Sequence, residues 1–444
     1  MSTILFCVSA MAGSVNATRK LARDLRKNGH TIHYVGIADC QYLLTDESFF
    51  PVFTNLFPAS QRLKASQRKP SFWERIQSGR MRTRRYRELI GRMMGGTYDG
   101  FDKVIEGLRP DLIIIVSSVW YAVLWGLLAH QFNVPSLYLN DSLTGPENSL
   151  VPPITSPLVP LCGVLGHART WVEWKLHKTR TRVQNLRGRL LRDMNLTRLA
   201  KQLAGCFNFP ADLLYEDEQF LRTKALEVLL FPEAFDFPHH TRPDRRYASA
   251  SVDLARTEGA FPWERLRPET PVIYCSMGTL NLLRPQEYIR FYECVIRAFE
   301  TFADRYQLVL VAGESVESHN LKDVSHNVIV VQRAPQMALL KRSVLMINHG
   351  GSNTVKECVT LGVPMLLYPL AFDHFGFAAR AVYHGLGLQG DAQRVTVAEM
   401  RRDIHRLLTE PYYRLQIRRM RNEFSLAEDT HSPTLFIEGL LRSC

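Results

Sequence analysis

The sequence predicts an α/β protein made of two domains, each with a parallel β-sheet. Three observations lead to this prediction. Short apolar runs alternate with helical patterns along most of the chain. The alternation falls into two series, which the Pro- and Arg-rich segment 237–250 separates. A chain of 444 residues with 46% hydrophobic content is also long enough to form two cores.

The first series starts near the beginning of the chain. It predicts strands over 4–10, 31–37, 112–116 and 136–140, and helices over about 14–28 and 120–130. The run 112–130 has no formal charge and is about as long as a membrane span. Its β-branched start and the pair Ser117 and Ser118 instead predict a buried strand followed by a separate buried helix.

The second series follows the Pro- and Arg-rich segment. It predicts strands over 271–279, 307–313, 327–332, 344–348 and 364–370, and a helix over 285–303. Continuous apolar strands of this kind are typical of a parallel sheet that helices cover on both faces. The predicted organisation is an N-terminal domain over 1–236, a linker over 237–260, a C-terminal domain over 261–410 and C-terminal helices over 411–444.

The net charge of +12 is concentrated in two basic stretches, 62–92 and 169–198. The second stretch also contains the apolar residues Trp171, Trp174, Leu176, Leu190 and Leu191. A solvated helix face and a surface that rests on anionic lipid both explain such a pattern. No known nucleic-acid-binding module accompanies the basic residues, so we expect no nucleic-acid partner.

The cysteines and the N-terminus bear on the cellular compartment. The eight cysteines occur singly, mostly inside apolar segments, which predicts buried free thiols in a reducing environment. The first residues, MSTILFCVSA, lack a charged region before the apolar run, which predicts no signal peptide. We therefore expect a cytoplasmic protein, with contact to the inner face of the membrane as an open alternative.

The stretch HGGSNTVKE (349–357) follows the apolar run VLMIN. Gly350 and Gly351 allow a tight turn, and Ser352 or Asn353 is placed to cap a helix. The start of such a helix presents unpaired backbone N–H groups and the positive end of the helix dipole. The stretch therefore predicts an anion site.

Four loops of the second series follow strand ends, where parallel sheets bind their ligands. Their candidate residues are Ser276, Gly278 and Thr279; Arg333, Ala334, Pro335 and Gln336; His349 to Thr354; and Asp373 with His374. Glu357 lies four residues after Asn353 and therefore on the same helix face. Its carboxylate is placed to accept two adjacent ribose hydroxyls while a diphosphate lies at the helix start.

Together these motifs resemble the donor-binding box of the UDP-glycosyltransferase superfamily of nucleotide-sugar glycosyltransferases. The matching positions are Pro335 with Gln336, HGGSNTVKE, Gly362 with Pro364, Pro369, and Asp373 with His374. The segments 29–44, 271–279 and 369–387 are most similar to the bacterial branch that contains zeaxanthin glucosyltransferases and macrolide-type glycosyltransferases. The resemblance covers most of the chain, more loosely in 60–95 and 150–225.

The resemblance implies a GT-B fold, in which two Rossmann-like domains face each other. The C-terminal domain would bind the nucleotide sugar, the N-terminal domain the acceptor, and a last helix would cross back. By position it assigns Gln336 to the nucleoside, Ser276, His349, Asn353 and Thr354 to the diphosphate, Glu357 to the ribose, and Asp373 with His374 to the transferred sugar. Gly278, Thr279, Arg333, Ala334, Gly351 and Ser352 complete the predicted donor-binding set.

Two positions depart from the superfamily pattern. Arg333 stands where the family often has a Trp that stacks on uracil, so the base stays open between UDP and dTDP. His374 stands where the family usually has Gln, so glucose is the default donor sugar and galactose an alternative. No Asp-x-Asp motif is present, so we expect no metal over the diphosphate and no cofactor. This expectation fits an inverting single displacement.

The acceptor side departs further. Relatives carry a G-H-x-N-P type motif after the first strand, whose His removes the acceptor proton and is oriented by an Asp. Here Ser14 takes the place of the His, Asn16 matches the Asn, and only Ser117 and Ser118 stand where the Asp is expected. A serine is no general base at physiological pH. Either another group is the base, or the acceptor arrives ionised, or the chain is a non-catalytic relative.

We predict an inverting glycosyltransferase that moves a hexose from a UDP-sugar, or a dTDP-sugar, to a small hydrophobic or lipid-like acceptor. Carotenoids, polyketides, phenols and lipids are the acceptor classes that the resemblance implies. Two alternatives stay open. One is a catalytically weak partner subunit that binds nucleotide sugar, and the other is a UDP-sugar epimerase on the same fold.

Overall fold

A computed structural model gives the fold of most of the chain. It describes residues 1–9, 11–52, 83–84, 87–88, 91–93, 95–96, 98, 100–116, 122–190, 196–218, 220–240, 242–256, 259–280, 282–313, 316, 321 and 325–443. Most of the basic stretch 62–92 lies outside these residues, as do Ser117, Ser118, Trp120 and Leu191.

The described elements alternate between strands and helices. The strands are β1 (Thr3–Cys7), β2 (Thr31–Gly36), β3 (Phe49–Pro51), β4 (Leu112–Val116), β5 (Ser136–Asn140), β6 (Leu214–Glu216), β7 (Leu221–Thr223), β8 (Leu226–Leu229), β9 (Arg245–Tyr247), β10 (Val272–Ser276), β11 (Gln307–Val311), β12 (Val328–Val331), β13 (Ser343–Asn348), β14 (Met365–Leu367) and β15 (Gly387–Gln389). The helices are α1 (Ala12–Lys27), α2 (Phe101–Leu108), α3 (Ala122–Gln131), α4 (Gly163–Leu190), α5 (Leu196–Cys206), α6 (Pro285–Phe299), α7 (Gln336–Leu340), α8 (Ser352–Leu361), α9 (His374–Tyr383), α10 (Val397–Thr409), α11 (Pro411–Thr430) and α12 (Pro433–Ser443).

The first sheet is parallel, with the strand order β3-β2-β1-β4-β5-β8-β9. Successive residues of its strands point to opposite faces. Leu5 and Ile113 belong to the buried cluster on one face, and Phe6 and Ile114 to the cluster on the other. Because helices cover both faces, the central strands contain continuous apolar runs.

The second sheet is also parallel, with the strand order β12-β11-β10-β13-β14-β15. Ile273 packs with helices α6 and α10 on one face, and Tyr274 packs with α8, α9 and α11 on the other. Each sheet reverses its strand order once, between β1 and β4 in the first and between β10 and β13 in the second. The prediction of two parallel-sheet α/β domains is confirmed.

The uncharged run 112–130 forms strand β4 and most of helix α3, as predicted, apart from the undescribed residues between them. Both elements are buried almost throughout. Among the helices that the structure describes, none is both long and apolar enough to cross a bilayer.

Strand β9 lies inside the segment that the sequence predicted as a linker. It pairs in parallel with β8, where Arg245 Nε donates to Glu227 Oε2 at 2.9 Å. Its sequence, RRY, has no apolar pattern, because an edge strand need not be buried on both faces. The segment therefore joins the edge of the first sheet before the chain continues into the second domain. The predicted domain boundaries stay predictions.

The two domains contact each other through several buried groups. Helix α11 packs on α8, and helix α12 packs on α1 with Ile437 inside the first domain's core. Arg380 Nη2 lies 2.7 Å from Asp236 Oδ1, and both side chains are buried. The C-terminal end of the chain thus passes from the second domain onto the first.

The cysteines that the structure describes are free thiols. Cys7, Cys40, Cys275, Cys294 and Cys358 are buried, as the sequence predicted. Cys162 is exposed and Cys206 is partly exposed, so the predicted burial is wrong for Cys162.

Candidate functional site

The candidate site lies at the point where the second sheet reverses its strand order. The loops that follow β10 and β13 meet there, which is where open parallel sheets bind ligands. Gly278 has φ +81°, and a Cβ atom on it would lie 2.5 Å from the His349 ring. A Cβ on Gly351 would lie 2.6 Å from His349 Nε2. Both glycines are therefore required so that the His349 ring fits between the two loops.

The turn after β13 is held by a residue that the sequence analysis did not select. Asn348 is fully buried, and its Oδ1 accepts a hydrogen bond from Gly350 N at 2.7 Å. Gly350 has φ +79°, which a residue with a side chain rarely adopts. A Cβ on Gly350 would also lie 2.9 Å from the His374 carbonyl oxygen, so the start of α9 packs against this turn.

His349 and His374 form a ring pair at the base of the site. Their centroids are 4.5 Å apart and the planes are nearly perpendicular. Burial lowers the pKa of His349 to about 4, although the Ser276 backbone opposes the shift. Burial, and then the neighbouring His349, lower the pKa of His374 to about 3. Both rings are therefore neutral at physiological pH and act as hydrogen-bonding groups, not as cations.

The start of helix α8 is open to an anion. Gly351 is the N-cap residue, and no side chain caps the helix. The predicted cap by Ser352 or Asn353 is therefore wrong. Asn353 Nδ2 instead donates to Gly13 O at 2.9 Å, at the start of α1 in the first domain. The first N–H groups of α8 and the positive end of its dipole are thus left for a ligand.

Glu357 has both carboxylate oxygens engaged. Arg256 Nη1 donates to Oε1 at 2.9 Å, and Gln336 Nε2 donates to Oε2. Gln336 Nε2 also lies 3.4 Å from Thr354 Oγ1. The predicted nucleoside and ribose residues therefore lie in direct contact. Arg256 was missed because it stands in the predicted linker, about a hundred residues away, where no sequence pattern indicates a partner.

Lys356 is a second residue that the sequence analysis missed. It is 1% exposed, and its Nζ has no hydrogen-bond partner among the described residues. The Nζ lies 5.0 Å from the centroid of the Phe231 ring, which belongs to the segment after β8. Burial lowers the pKa of Lys356 to about 8, although the carboxylates of Asp141, Glu357 and Asp373 oppose the shift.

Asp373 lies at the same seam between the domains, directly before helix α9. Burial, together with the negative charge of Asp141, raises the pKa of Asp373 to about 6, although Lys356 opposes the shift. Asp141 follows β5 and belongs to the first domain. The predicted sugar-binding carboxylate therefore lies close to charged groups of both domains.

The acceptor side is built around the start of helix α1. The predicted helix over about 14–28 begins two residues earlier, at Ala12, so Ser14 lies within its first turn. Ser14 is buried, and its Oγ accepts a hydrogen bond from Ser9 Oγ at 2.8 Å. Asn16 lies two residues further in the helix and is partly exposed. The predicted position of the orienting Asp lies outside the described residues.

The remaining predicted donor residues lie at the end of β10, in the segments that follow β10 and β12, and at the start of α8. Ser276 is the buried last residue of β10, Thr279 and Arg333 are exposed, and Ala334 and Ser352 are partly exposed. Among the residues that the structure describes, no group of three or more His, Cys, Asp and Glu side chains is arranged to hold a metal ion. The predictions of metal independence and of no cofactor stay predictions.

Two parallel-sheet domains that meet at a strand-order reversal, with the open start of a helix above it, define the GT-B class of fold. Residues 301–435 match the family model of the erythromycin biosynthesis protein CIII-like C-terminal domain. The predicted resemblance to nucleotide-sugar glycosyltransferases is thus confirmed.

Named relatives agree with this class. NDP-glycosyltransferase YjiC of Bacillus subtilis (strain 168) is 24% identical over 225 residues, which cover 51% of this chain and 56% of that protein. Zeaxanthin glucosyltransferase of Pantoea ananas is 32% identical over 175 residues, 39% of each chain. The chain thus spans about half, or less, of the length of these relatives.

Solved structures share the fold over the whole chain. The glycosyltransferase of kitacinnamycin has 20% sequence identity and a TM-score of 0.68, and the match covers 99% of both chains. The glycosyltransferase VinC, solved in complex with dTDP, has 18% identity and a TM-score of 0.62, with 99% of this chain and 98% of that one covered. The GT-B fold is thereby established.

Proposed function

We propose that this protein is an inverting glycosyltransferase that moves a hexose from a nucleotide sugar to a small hydrophobic or lipid-like acceptor. The proposal rests chiefly on one arrangement at the strand-order reversal. The His349 ring comes directly before the uncapped start of helix α8 in the chain, and the Glu357 carboxylate lies on the second turn of the same helix. The helix start and His349 are groups that bind a diphosphate and stabilise the negative charge of the leaving nucleotide. The Glu357 carboxylate is a group that binds ribose hydroxyls.

The diphosphate would lie at the start of α8, where backbone N–H groups and the helix dipole stabilise negative charge. This charge grows as the bond between the anomeric carbon and the diphosphate oxygen breaks, so the same groups would stabilise the leaving nucleotide. His349 would donate one further hydrogen bond. Because its ring is neutral, it adds no full charge to the site.

The ribose would bind to Glu357. A carboxylate has about four acceptor positions, so Glu357 can accept ribose hydroxyls while Arg256 and Gln336 hold its orientation. Arg333 and Gln336 would contact the base. Since VinC was solved with dTDP and zeaxanthin glucosyltransferase names a glucosyl donor, UDP- and dTDP-sugars both belong in the test.

The transferred sugar would be held by Asp373 and His374. An acceptor oxygen would attack the anomeric carbon from the face opposite the leaving diphosphate, so that the new C–O bond forms as the bond to the diphosphate oxygen breaks. An acceptor that ionises by itself has already released its proton to solvent. Ser14 is paired with Ser9 and is no general base, so we favour an acceptor that ionises by itself, such as an acidic phenol. The neutral form of a hydrophobic phenol partitions into bilayers, so contact with a membrane surface belongs to the proposal.

An activity screen tests the proposal. The purified protein is incubated with UDP- and dTDP-sugars and a panel of carotenoid, polyketide, phenol and lipid acceptors, and the release of nucleoside diphosphate is measured. We expect release that depends on the acceptor, with a glycosylated product in the mass spectrum. Nucleotide-sugar binding without turnover would indicate a partner subunit, and conversion of the free nucleotide sugar would indicate an epimerase. Either result would contradict the proposal.

A further inference from the structure

Helix α4 (Gly163–Leu190) carries an apolar surface that no described part of the chain covers. The helix has 28 residues and is therefore about 42 Å long. One face is fixed to the first domain by Thr170 and Trp174, whose Nε1 donates to Val151 O at 2.9 Å. The opposite face points away from the protein.

That outer face forms what we call the apolar stripe, which consists of Leu165, Val172, Leu176, Val183 and Leu186. Its members recur at intervals of seven, four, seven and three residues, so they lie in one line along the helix. All five are more than 40% exposed, and Leu165 is 79% exposed. Val164, beside the start of the stripe, is 85% exposed. A row of large apolar side chains is thus exposed to solvent, and such an exposed row indicates a contact surface.

Cations border the apolar stripe on both sides. Helical spacing places Arg169, Arg180 and Arg187 along one side, and Lys175 and Arg182 along the other. All five side chains are exposed, and none has an ion-pair partner among the described residues. Glu173 is the one acidic residue in the sequence of α4, and it accepts a hydrogen bond from Ser156.

The aromatic residue of this surface fits the same environment. Trp171 is 57% exposed, and Lys175 Nζ lies 5.1 Å from the centroid of its ring. Indole rings are enriched at the boundary between lipid and water, where their apolar body and polar N–H are both accommodated.

We propose that helix α4 docks on a bilayer that contains anionic lipid, with the apolar stripe at the level of the acyl chains and the bordering cations at the headgroups. A helix that lies in the interface needs both an apolar face and flanking cations. A second copy of this chain is less suited, because two such helices would bring cations of both copies together. The docking itself is independent of the proposed function. The explanation that docking gives access to a hydrophobic acceptor rests on that function.

Sedimentation with vesicles tests the proposal. The full chain is mixed with phosphatidylcholine vesicles that contain or lack phosphatidylglycerol, without donor or acceptor. We expect binding to the anionic vesicles at low salt, and release as salt screens the attraction. V172D/L176D should reduce binding by about tenfold or more, because the apolar stripe is interrupted. L415D/L435D, which changes exposed leucines on α11 and α12, is the matched control and should bind like the wild type.

Further variants test the role of the bordering cations and the orientation of helix α4 on the bilayer. R180E/R187E should lose the preference for anionic vesicles, whereas R418E/R419E, with the same change of net charge on α11, should keep it. Brominated lipid should quench part of the tryptophan fluorescence in the wild type, and Trp171→Phe should remove that part. These substitutions lie on the protein surface, and thermal unfolding verifies that the variants are folded.

Three results would overturn the proposal. The first is equal binding of V172D/L176D and the wild type to anionic vesicles. The second is absence of binding to either kind of vesicle. The third is a dimer in sedimentation velocity that V172D/L176D converts to monomer, which would show that a second copy covers the stripe. Transfer of the sugar to a water-soluble acceptor is measured separately and should be equal in the wild type and V172D/L176D. Loss of transferase activity and loss of docking are therefore distinguishable.

Discussion

His349 shows how closely the candidate site is packed at the scale of single residues. Gly351 has φ −65°, which any residue adopts, so its backbone does not require glycine. Glycine is required there because a Cβ would lie 2.6 Å from His349 Nε2. The sequence pattern predicted that Gly350 and Gly351 both allow a tight turn. The structure assigns that role to Gly350 alone and gives Gly351 a steric role.

Substitution of Gly351 tests this role without removal of any polar group. Gly351→Ala should displace the His349 ring and reduce nucleotide-sugar affinity by about tenfold, or ~1.4 kcal/mol, in calorimetry. Gly205→Ala is the matched control, because a Cβ on Gly205 meets nothing within 4 Å. Equal affinities of the two variants would mean that the position of His349 is irrelevant to the donor.

His374 tests how the donor sugar is recognised. The resemblance implies that His374 replaces the usual Gln of the superfamily, and its ring is neutral and held against His349. His374→Gln should therefore change the ratio of kcat/KM for UDP-glucose over UDP-galactose in favour of glucose, by about tenfold for one hydrogen bond. An unchanged ratio, measured with one acceptor, would remove His374 from sugar recognition.

Ser14 and Asp373 together predict the pH dependence of transfer. Asp373 accepts a sugar hydroxyl more strongly as a carboxylate than as a carboxylic acid, so the rate should rise as pH increases through about 6 for every acceptor. A second rise should follow the pKa of each phenol, since Ser14 supplies no base. Asp373→Asn should lose the common step near pH 6 and keep the second. A further histidine-like step that is common to all acceptors would show that another base exists.

At the scale of elements, helix α8 combines the proposed anion site at its start with the buried cation Lys356. Lys356 is on this helix, and its pKa falls from the usual 10.5 to about 8, which corresponds to about 3 kcal/mol. Between these pH values the unfolded chain binds the proton and the folded chain does not. Lys356 therefore makes the free energy of unfolding rise with pH between about 8 and 10.5. Below pH 8 both states bind the proton, so Lys356 adds no pH dependence there.

Lys356→Met removes this titration. We expect the difference in unfolding free energy between wild type and Lys356→Met to change by up to about 3 kcal/mol between pH 8 and 10.5, in favour of the wild type at high pH. Denaturant titrations at several pH values measure it. The thiols and phenols of the core are common to both proteins, so they cancel. A constant difference across the window would contradict the account of Lys356.

The elements also show which parts of the fold are predictable. Strands such as β4 and β13 are continuous apolar runs, and the sequence predicted both because burial on two faces requires them. Strand β9 was missed, because its pairing depends on the Arg245–Glu227 contact and not on apolar residues. The capping prediction at α8 was wrong because Asn353 bonds to Gly13, a partner more than three hundred residues away. Local patterns carry no information about such contacts.

At the scale of the whole molecule, contacts between the two domains lie at and beside the predicted donor residues. Asn353 bonds to Gly13 at the start of α1, and Gly376 N donates to Ile154 O at 2.7 Å. Arg23 Nη2 lies 2.8 Å from Asp253 Oδ1, which precedes Arg256 in the segment between the domains. Family motifs could predict the donor-binding loops. They could not predict Arg256, Lys356 or Asp141, because these come together only when the two domains meet.

The central claim is that the crevice binds a nucleoside diphosphate with its ribose on Glu357. Glu357→Gln removes the charge but keeps an oxygen that can accept a hydrogen bond from Arg256. Glu227→Gln is the matched control, since Glu227 is also buried and lies 2.9 Å from an arginine nitrogen, in the first domain. Both variants are first shown to be folded by thermal unfolding.

Calorimetric titration of UDP and dTDP into these three proteins tests the claim most directly. We predict binding of at least one nucleotide to the wild type, an affinity lower by about tenfold or more in Glu357→Gln, and an unchanged affinity in Glu227→Gln. Equal affinities in the wild type and Glu357→Gln, or no binding of either nucleotide to the wild type, would contradict the claim.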